Sequence, residues 1–236
     1  MNYITPKQAW DLNAFHWVNE KKLPGFGKLL ESWLNVHRNF CAGAAPEHPW
    51  AYAERPQIGL LSNAAILLGG IALEEWCAEK KSDTSKVYSG RNDLWLRLSP
   101  HSNERDYQIE SKHARLDLRK NAIDLESIIT EALRWARVDS GRLGKKNGKP
   151  VGIAFLTLRF ESEDAEALEN KTRDLCYYIQ AQDRQNNQLD AMAAIWLGVE
   201  DFLLCRSERN RIAKEQNTNG WPSDEVGLIL LASCAQ

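Results

Sequence analysis

The sequence has no long hydrophobic run, no pair of cysteines spaced as CxxC and almost no net charge, and each absence removes a class of protein. Its most apolar stretch, 58–73, is broken by Ser62, Asn63, Gly69 and Gly70. It falls short of the ~20 apolar residues that cross a bilayer, which leaves a buried helix and no membrane partner. The five cysteines are odd in number and scattered, which points to reduced thiols in a cytosolic protein and away from a disulfide framework or a structural zinc. Met1 to Lys7 lacks a basic stretch followed by an apolar one, so no signal peptide is expected and the expected location is cytoplasmic. A formal charge of -2 gives no global basic field, so any polyanion site has to be a local patch. GxSxG, P-loop, GxGxxG and HExxH patterns are all missing, and the histidines and cysteines show no zinc spacing. Nothing in the sequence calls for a nicotinamide or flavin.

What is present is the composition of an ordinary soluble protein, and the order of elements read below makes it α/β. At 236 residues, 43% hydrophobic and 26% charged, it is long enough for one large domain or two small ones. Nine tryptophans at irregular spacing read as core fillers. The first third reads as helical. Thr5-Pro6-Lys7-Gln8 has the form of a capping box, and Trp10, Ala14, Trp17 and Val18 lie at helical spacing. A second helix is expected over 26–40, a proline-rich loop over 43–56, and a third helix over 57–80.

The pattern then changes. A weak strand is expected at 86–89. Leu94, Leu96 and Leu98 alternate through 93–98, the segment 99–104 has turn chemistry, and 107–113 returns as a partner strand. A helix over 124–138 and a buried strand over 151–160 follow. A helix over about 163–185, an ambiguous apolar segment at 189–204 and a strand at 225–233 complete the chain. The expected division is an N-terminal helical region, 1–56, packed on a core of 57–236.

The chemistry concentrates in the strand pair. Residues two apart on a strand share a face, so Glu110 and Lys112 point the same way. With a turn near Ser102-Asn103, Asp93 falls opposite Lys112 and Trp95 opposite Glu110. Asp93, Glu110 and Lys112 then form one cluster. Two carboxylates suit Mg²⁺ or Mn²⁺, which activates a water and clamps a phosphate oxygen, while the lysine stabilises developing charge. The bland alternative is a solvated hairpin face with a surface ion pair.

Asp93, a 16-residue interval, and then Glu110-Ser111-Lys112 resemble the PD-(D/E)XK nuclease superfamily. The expected helix-strand-strand-strand-helix-strand order over 57–160 is similar to that family's core. The resemblance implies a restriction-endonuclease-like fold, Asp93 and Glu110 as metal ligands and Lys112 as the catalytic lysine. The family often adds a glutamate from the helix before the sheet. Glu74 or Glu75 stands in that place, and Glu74 continues the stripe of Leu60, Ala64, Leu67 and Ile71. Asn92 replaces the proline of the family's name, and the Gln-x-x-x-Tyr extension of one branch is absent.

Arg142, Lys145, Lys146 and Lys149 make the tightest basic group in any expected loop, suited to a phosphate backbone or equally to a solvated connector. His113 points to the other face from Lys112 and reads as structural. The leading expectation is a metal-dependent endonuclease acting on DNA, with RNA as a second substrate class and a homodimer compatible with it. The alternative is a nucleic-acid- or protein-binding module on the same fold without catalysis.

Overall fold

The computed structural model describes residues 12–43, 48–82, 84, 86–98, 106–161, 164–186, 188–203 and 225–234. The capping box at Thr5, together with Trp10, the 99–104 turn and Cys205, lies outside them. The chain forms one seven-stranded mixed sheet flanked by helices, so the α/β class holds. The elements run β1 (Leu12–Val18), α1 (Phe26–Gly43), α2 (Glu54–Leu67), β2 (Ile71–Lys81), β3 (Val87–Arg97), β4 (Asp106–Asp117), α3 (Ala122–Gly141), β5 (Lys149–Arg159), α4 (Ala165–Asn186), β6 (Ala191–Leu197) and β7 (Glu225–Cys234). Their order across the sheet is β1-β6-β7-β5-β4-β3-β2. The pair β4–β5 is parallel and is bridged by α3; every other neighbouring pair is antiparallel.

The central strands are those with continuous apolar sequence. Val151 to Leu158 on β5 and all of β6 are buried, as strands covered on both faces require. On one side, Leu29, Leu30, Trp33 and Leu34 of α1 are sealed in the core. The Ser32 hydroxyl donates to the Ala64 carbonyl at 2.9 Å, which locks α1 to α2. On the other side, Leu125, Ile129, Ala132, Leu133 and Ala136 of α3 cover β4 and β5. Asn121 caps α3 by accepting from the Asp124 N–H at 2.9 Å.

Two helical expectations become strands. The segment with Ala14, Trp17 and Val18 is β1, an edge strand paired from Leu12↔Leu197 to Val18↔Ala191. It places part of the expected N-terminal helical region in the same sheet as the rest. The helix expected over 57–80 ends at Leu67, and the chain continues as β2. Gly69 takes a left-handed φ of 78°, the usual helix stop. At Gly70 a Cβ would lie 2.5 Å from the Arg97 carbonyl oxygen, so only glycine lets β2 start against β3 there. The weak strand at 86–89 and the strand at 93–98 are one strand, β3. The order helix-strand-strand-strand-helix-strand therefore stands, with α2, β2, β3, β4, α3 and β5 as its members.

Candidate functional site

The hydrogen-bond ladder between β3 and β4 runs from Arg97↔Asp106 to Leu94↔Ile109 and then stops. The strands fork at Asp93. This register differs from the expected hairpin by two residues, since Trp95 faces Gln108 and not Glu110. A shift of two preserves side-chain faces, whereas a shift of one would reverse them. Leu94 and Leu96 are fully buried beneath α1 and α2, while Asp93, Trp95 and Arg97 stand on the other face.

At the fork, side chains replace the missing ladder. The Asp93 Oδ2 accepts the Ser111 backbone N–H at 2.6 Å and lies 2.9 Å from the Ser111 hydroxyl. That hydroxyl is also 2.9 Å from Oε1 of Glu54, the first residue of α2. A hydroxyl has one proton, so it can donate to only one of the two carboxylates at a time. Burial holds the Glu54 carboxyl above its ordinary range, and the charges of Asp93 and Asp139 add to that rise while the Ser111 bond and Lys112 oppose it. A protonated Glu54 would donate to Ser111, which donates in turn to Asp93, and all three groups would be satisfied.

Glu110 is 5% exposed. Burial pushes its carboxyl up to about 7, and the neighbouring Asp93 charge adds to the rise; Lys80 and Lys112 oppose it without reversing it. Lys80 Nζ, from the end of β2, approaches Glu110 Oε1 at 2.6 Å. The contact is an ion pair without hydrogen-bond alignment. Lys112 pairs with Asp139 of α3 at 2.7 Å, and Asp139 also takes Arg142 at 3.0 Å. Burial pulls the Lys112 ammonium down. Asp139, Glu54 and Asp93 more than offset that, so it is held above its usual value.

Asp93, Glu110 and Lys112 thus influence one another electrostatically at one fork. Glu74 and Glu75 do not take the helical position expected of them, because both lie on the exposed strand β2. No hydrogen bond or ion pair links Glu74 to Asp93 or Glu110. Glu75, at φ 53°, pairs with Arg55 at 2.6 Å and Arg91 at 3.5 Å. The helical carboxylate at the fork is Glu54. Among the described residues, no three His, Cys, Asp or Glu side chains converge closely enough to hold a metal ion as they stand.

The basic loop is anchored on the same face as the cluster. The Gln108 amide donates to the carbonyls of Gly144 and Gly148, and the Trp95 indole N–H donates to the Asn147 carbonyl at 2.7 Å. Lys145 and Lys146 are exposed on a short helical turn and make no ion pair among the described residues. Arg142 is taken by Asp139, and Lys149 donates to the Lys22 carbonyl, so these two hold the loop in place. Beside the loop lies a cleft of about 620 Å³. His113 bonds Thr157 at 2.9 Å.

Glu54, Lys80 and Asp139 were not singled out from the sequence. For Glu54 a signal existed: Glu54-Arg55-Pro56 places proline in the first turn of a helix, where it is tolerated, although it reads equally well as the end of a loop. Lys80 and Asp139 carry no local signal. Among the described residues no helix is long and apolar enough to cross a membrane, and Cys41, Cys77, Cys176 and Cys234 form no disulfide. Comparison with protein-family models, with curated proteins and with solved structures finds no match to this chain.

Proposed function

We propose that this chain is a divalent-metal-dependent nuclease with a restriction-endonuclease-like core formed by α2, β2, β3, β4, α3 and β5. The observation that supports it most is the fork. A buried glutamate pushed up to about 7, an aspartate beside it, a helical carboxylate and a lysine meet where two strands part, on the face that also bears the basic loop. Buried carboxylates that repel one another are stabilised by a cation, and all the donors are hard oxygens of the kind Mg²⁺ or Mn²⁺ prefers. On that chemistry the residues fit the metal. Asp93 and Glu110 would hold it, with Glu54 in the role first expected of Glu74. The ion would supply a bound water of lowered pKa and charge neutralisation at a phosphate.

The chain's own residues prepare the rest. The Ser111 backbone N–H fixes Asp93, and its hydroxyl lies between Asp93 and Glu54. Asp139 keeps Lys112 protonated and on the α3 face, where an ammonium can stabilise charge developing on a phosphate oxygen. Lys145 and Lys146 offer unpaired cations to the phosphate backbone.

A second reading has its own support. Lys80 on Glu110 and Asp139 on Lys112 already balance two of the site's charges within the protein. That arrangement favours a nucleic-acid- or protein-binding module with no catalysis. Incubation with duplex, single-stranded and branched DNA and with RNA, in Mg²⁺ or Mn²⁺, separates the two. A nuclease cuts at least one substrate, and Lys112→Ala lowers the rate about 100-fold or more while the folded circular dichroism spectrum is retained. Wild type and variant equally inert on every substrate would leave the binding module.

A further inference from the structure

The cleft beside the basic loop has a lining that the fork does not explain. Trp76 and Trp95 stand with ring centroids 6.3 Å apart and planes tilted by 35°. Trp76 lies on the edge strand and is 40% exposed, a large apolar surface left in water. Trp95 is held rigidly by its indole bond to Asn147 and by the Arg97 guanidinium 5.2 Å from its ring centroid. Lys145 and Lys146 line the same cleft. The acid among its lining residues, Asp106, is taken by a two-pronged pair with Arg97 at 2.7 and 2.8 Å. The free charge of the cleft is therefore positive, and its free apolar surface is aromatic.

We infer that this cleft binds an unpaired nucleotide of a single-stranded nucleic acid, with a base stacked on the exposed face of Trp76 and the flanking phosphates on Lys145 and Lys146. This rests on the nucleic-acid reading of the fork and names its substrate class. Rigid aromatics interleaved with lysines are how single strands are held without sequence preference, because every base has a π face and every nucleotide a phosphate. A duplex keeps its bases stacked and offers none to an exposed tryptophan. The cleft volume of about 620 Å³ is of the size that takes a small organic ligand. Its position fits as well. Trp95 is two residues from Asp93 on the same strand face, about 7 Å along the strand. A strand stacked there would lead its neighbouring phosphate toward the fork.

The test is binding in EDTA, where no cutting occurs, measured by the anisotropy of a labelled 20-nucleotide oligo-dT and of a duplex of the same length. Wild type is expected to bind the single strand more tightly than the duplex. Trp76→Ala should weaken single-strand binding about tenfold or more, as the loss of one stacked base predicts, and Trp76→Phe should restore most of it. The double variant Lys145→Ala/Lys146→Ala should weaken it independently. The ring is exposed on an edge strand, so thermal midpoints should stay close to wild type. Single-strand affinity unchanged in Trp76→Ala, a wild-type preference for duplex, or no binding to either would overturn the inference. A protein that binds single strands through Trp76 but never cuts sinks hydrolysis alone. One that cuts duplex regardless of Trp76 sinks the inference alone.

Discussion

Replacing Glu110 with glutamine removes a charge while nearly preserving shape, and its effect on stability should depend on pH in a defined direction. Burial, then the Asp93 charge, moves this carboxyl from its ordinary 4.5 to about 7 in the folded protein. Between those values the folded protein keeps a proton that the unfolded chain has released. The stability due to this group is therefore fully present below about pH 4.5 and is lost as pH rises through about 7. Integrated from pH 5 to pH 8, the loss is about 2–3 kcal/mol. Glutamine cannot ionise and escapes it. At pH 5 the two proteins should be close in stability, because Glu110 is then mostly protonated. At pH 8 Glu110→Gln should be the more stable by about 2–3 kcal/mol, or about 5–10 °C in midpoint for a chain of this size. His37, fully buried and held down to about 4 by that burial, contributes the opposite slope, present above its ordinary 6.5 and lost as pH falls through about 4. It is common to both proteins and cancels in the difference. Urea unfolding at the two pH values measures it. A difference that stays flat from pH 5 to pH 8 would refute the buried, charge-strained carboxyl. Adding Mg²⁺ at pH 8 sharpens the result. An ion held by Asp93 and Glu110 should raise the wild-type midpoint, by up to about 2.7 kcal/mol at a hundredfold excess over Kd, and leave Glu110→Gln unmoved.

Other expectations follow from the loop and from the break before β2. Lys145→Ala/Lys146→Ala should flatten the log–log salt dependence of single-strand binding by about 1.4 units, measured by titration at several salt concentrations. Lys149→Ala should flatten that slope less than either Lys145 or Lys146 does, because its ammonium is tethered to the Lys22 carbonyl, and a larger effect of Lys149 would contradict the loop's placement. Gly70→Ala would put a methyl 2.5 Å from the Arg97 carbonyl and 2.9 Å from that of Ala65, both backbone. A cost of about 1–3 kcal/mol in urea unfolding is expected, and no cost would mean that β2 does not start there.

The sequence made the α3 and β5 elements legible because deep burial imposes a clean period on them. Leu125, Ile129, Ala132, Leu133 and Ala136 can only be one helical face, and Val151 to Leu158 is apolar except for Thr157. The β3 alternation was legible for the same reason, since Leu94 and Leu96 are wholly buried and Asp93 and Trp95 are not. The strand β2 was not. Leu73 and Trp76 are both about 40% exposed, and an edge strand with little covering it has no pattern to obey. A run that begins inside the largely apolar α2 then reads as more helix, and Gly69-Gly70 is the punctuation between them. The same mistake moved the helical carboxylate from Glu54 to Glu74. The register error came from the turn, whose geometry the residue types at 99–104 do not specify, and it did no harm to the cluster because it was even.

The fork's charge balance could not be read from sequence, since its terms come from five elements far apart in the chain. Glu54 arrives from α2, Lys80 from β2, Asp93 from β3, Glu110 and Lys112 from β4, and Asp139 from α3. Four carboxylates face two lysines, and Arg142 offsets Asp139 alone. With every group ionised the fork is left negative on the side of Glu54, Asp93 and Glu110. A site under that strain has two ways to relieve it: a proton on Glu110 or Glu54, or a cation. Burial already makes the proton available near neutral pH. Lys80 then decides what the fork can do. Its side chain is 14% exposed and its ammonium sits on Glu110 Oε1. As a fixed partner, with one proton on Glu54 or Glu110, it completes a neutral joint between two strands, the arrangement that favours the proposed binding module. If it swings away on its long stem, Glu110 is freed beside Asp93, and the proposed metal would meet the two carboxylates that are to hold it.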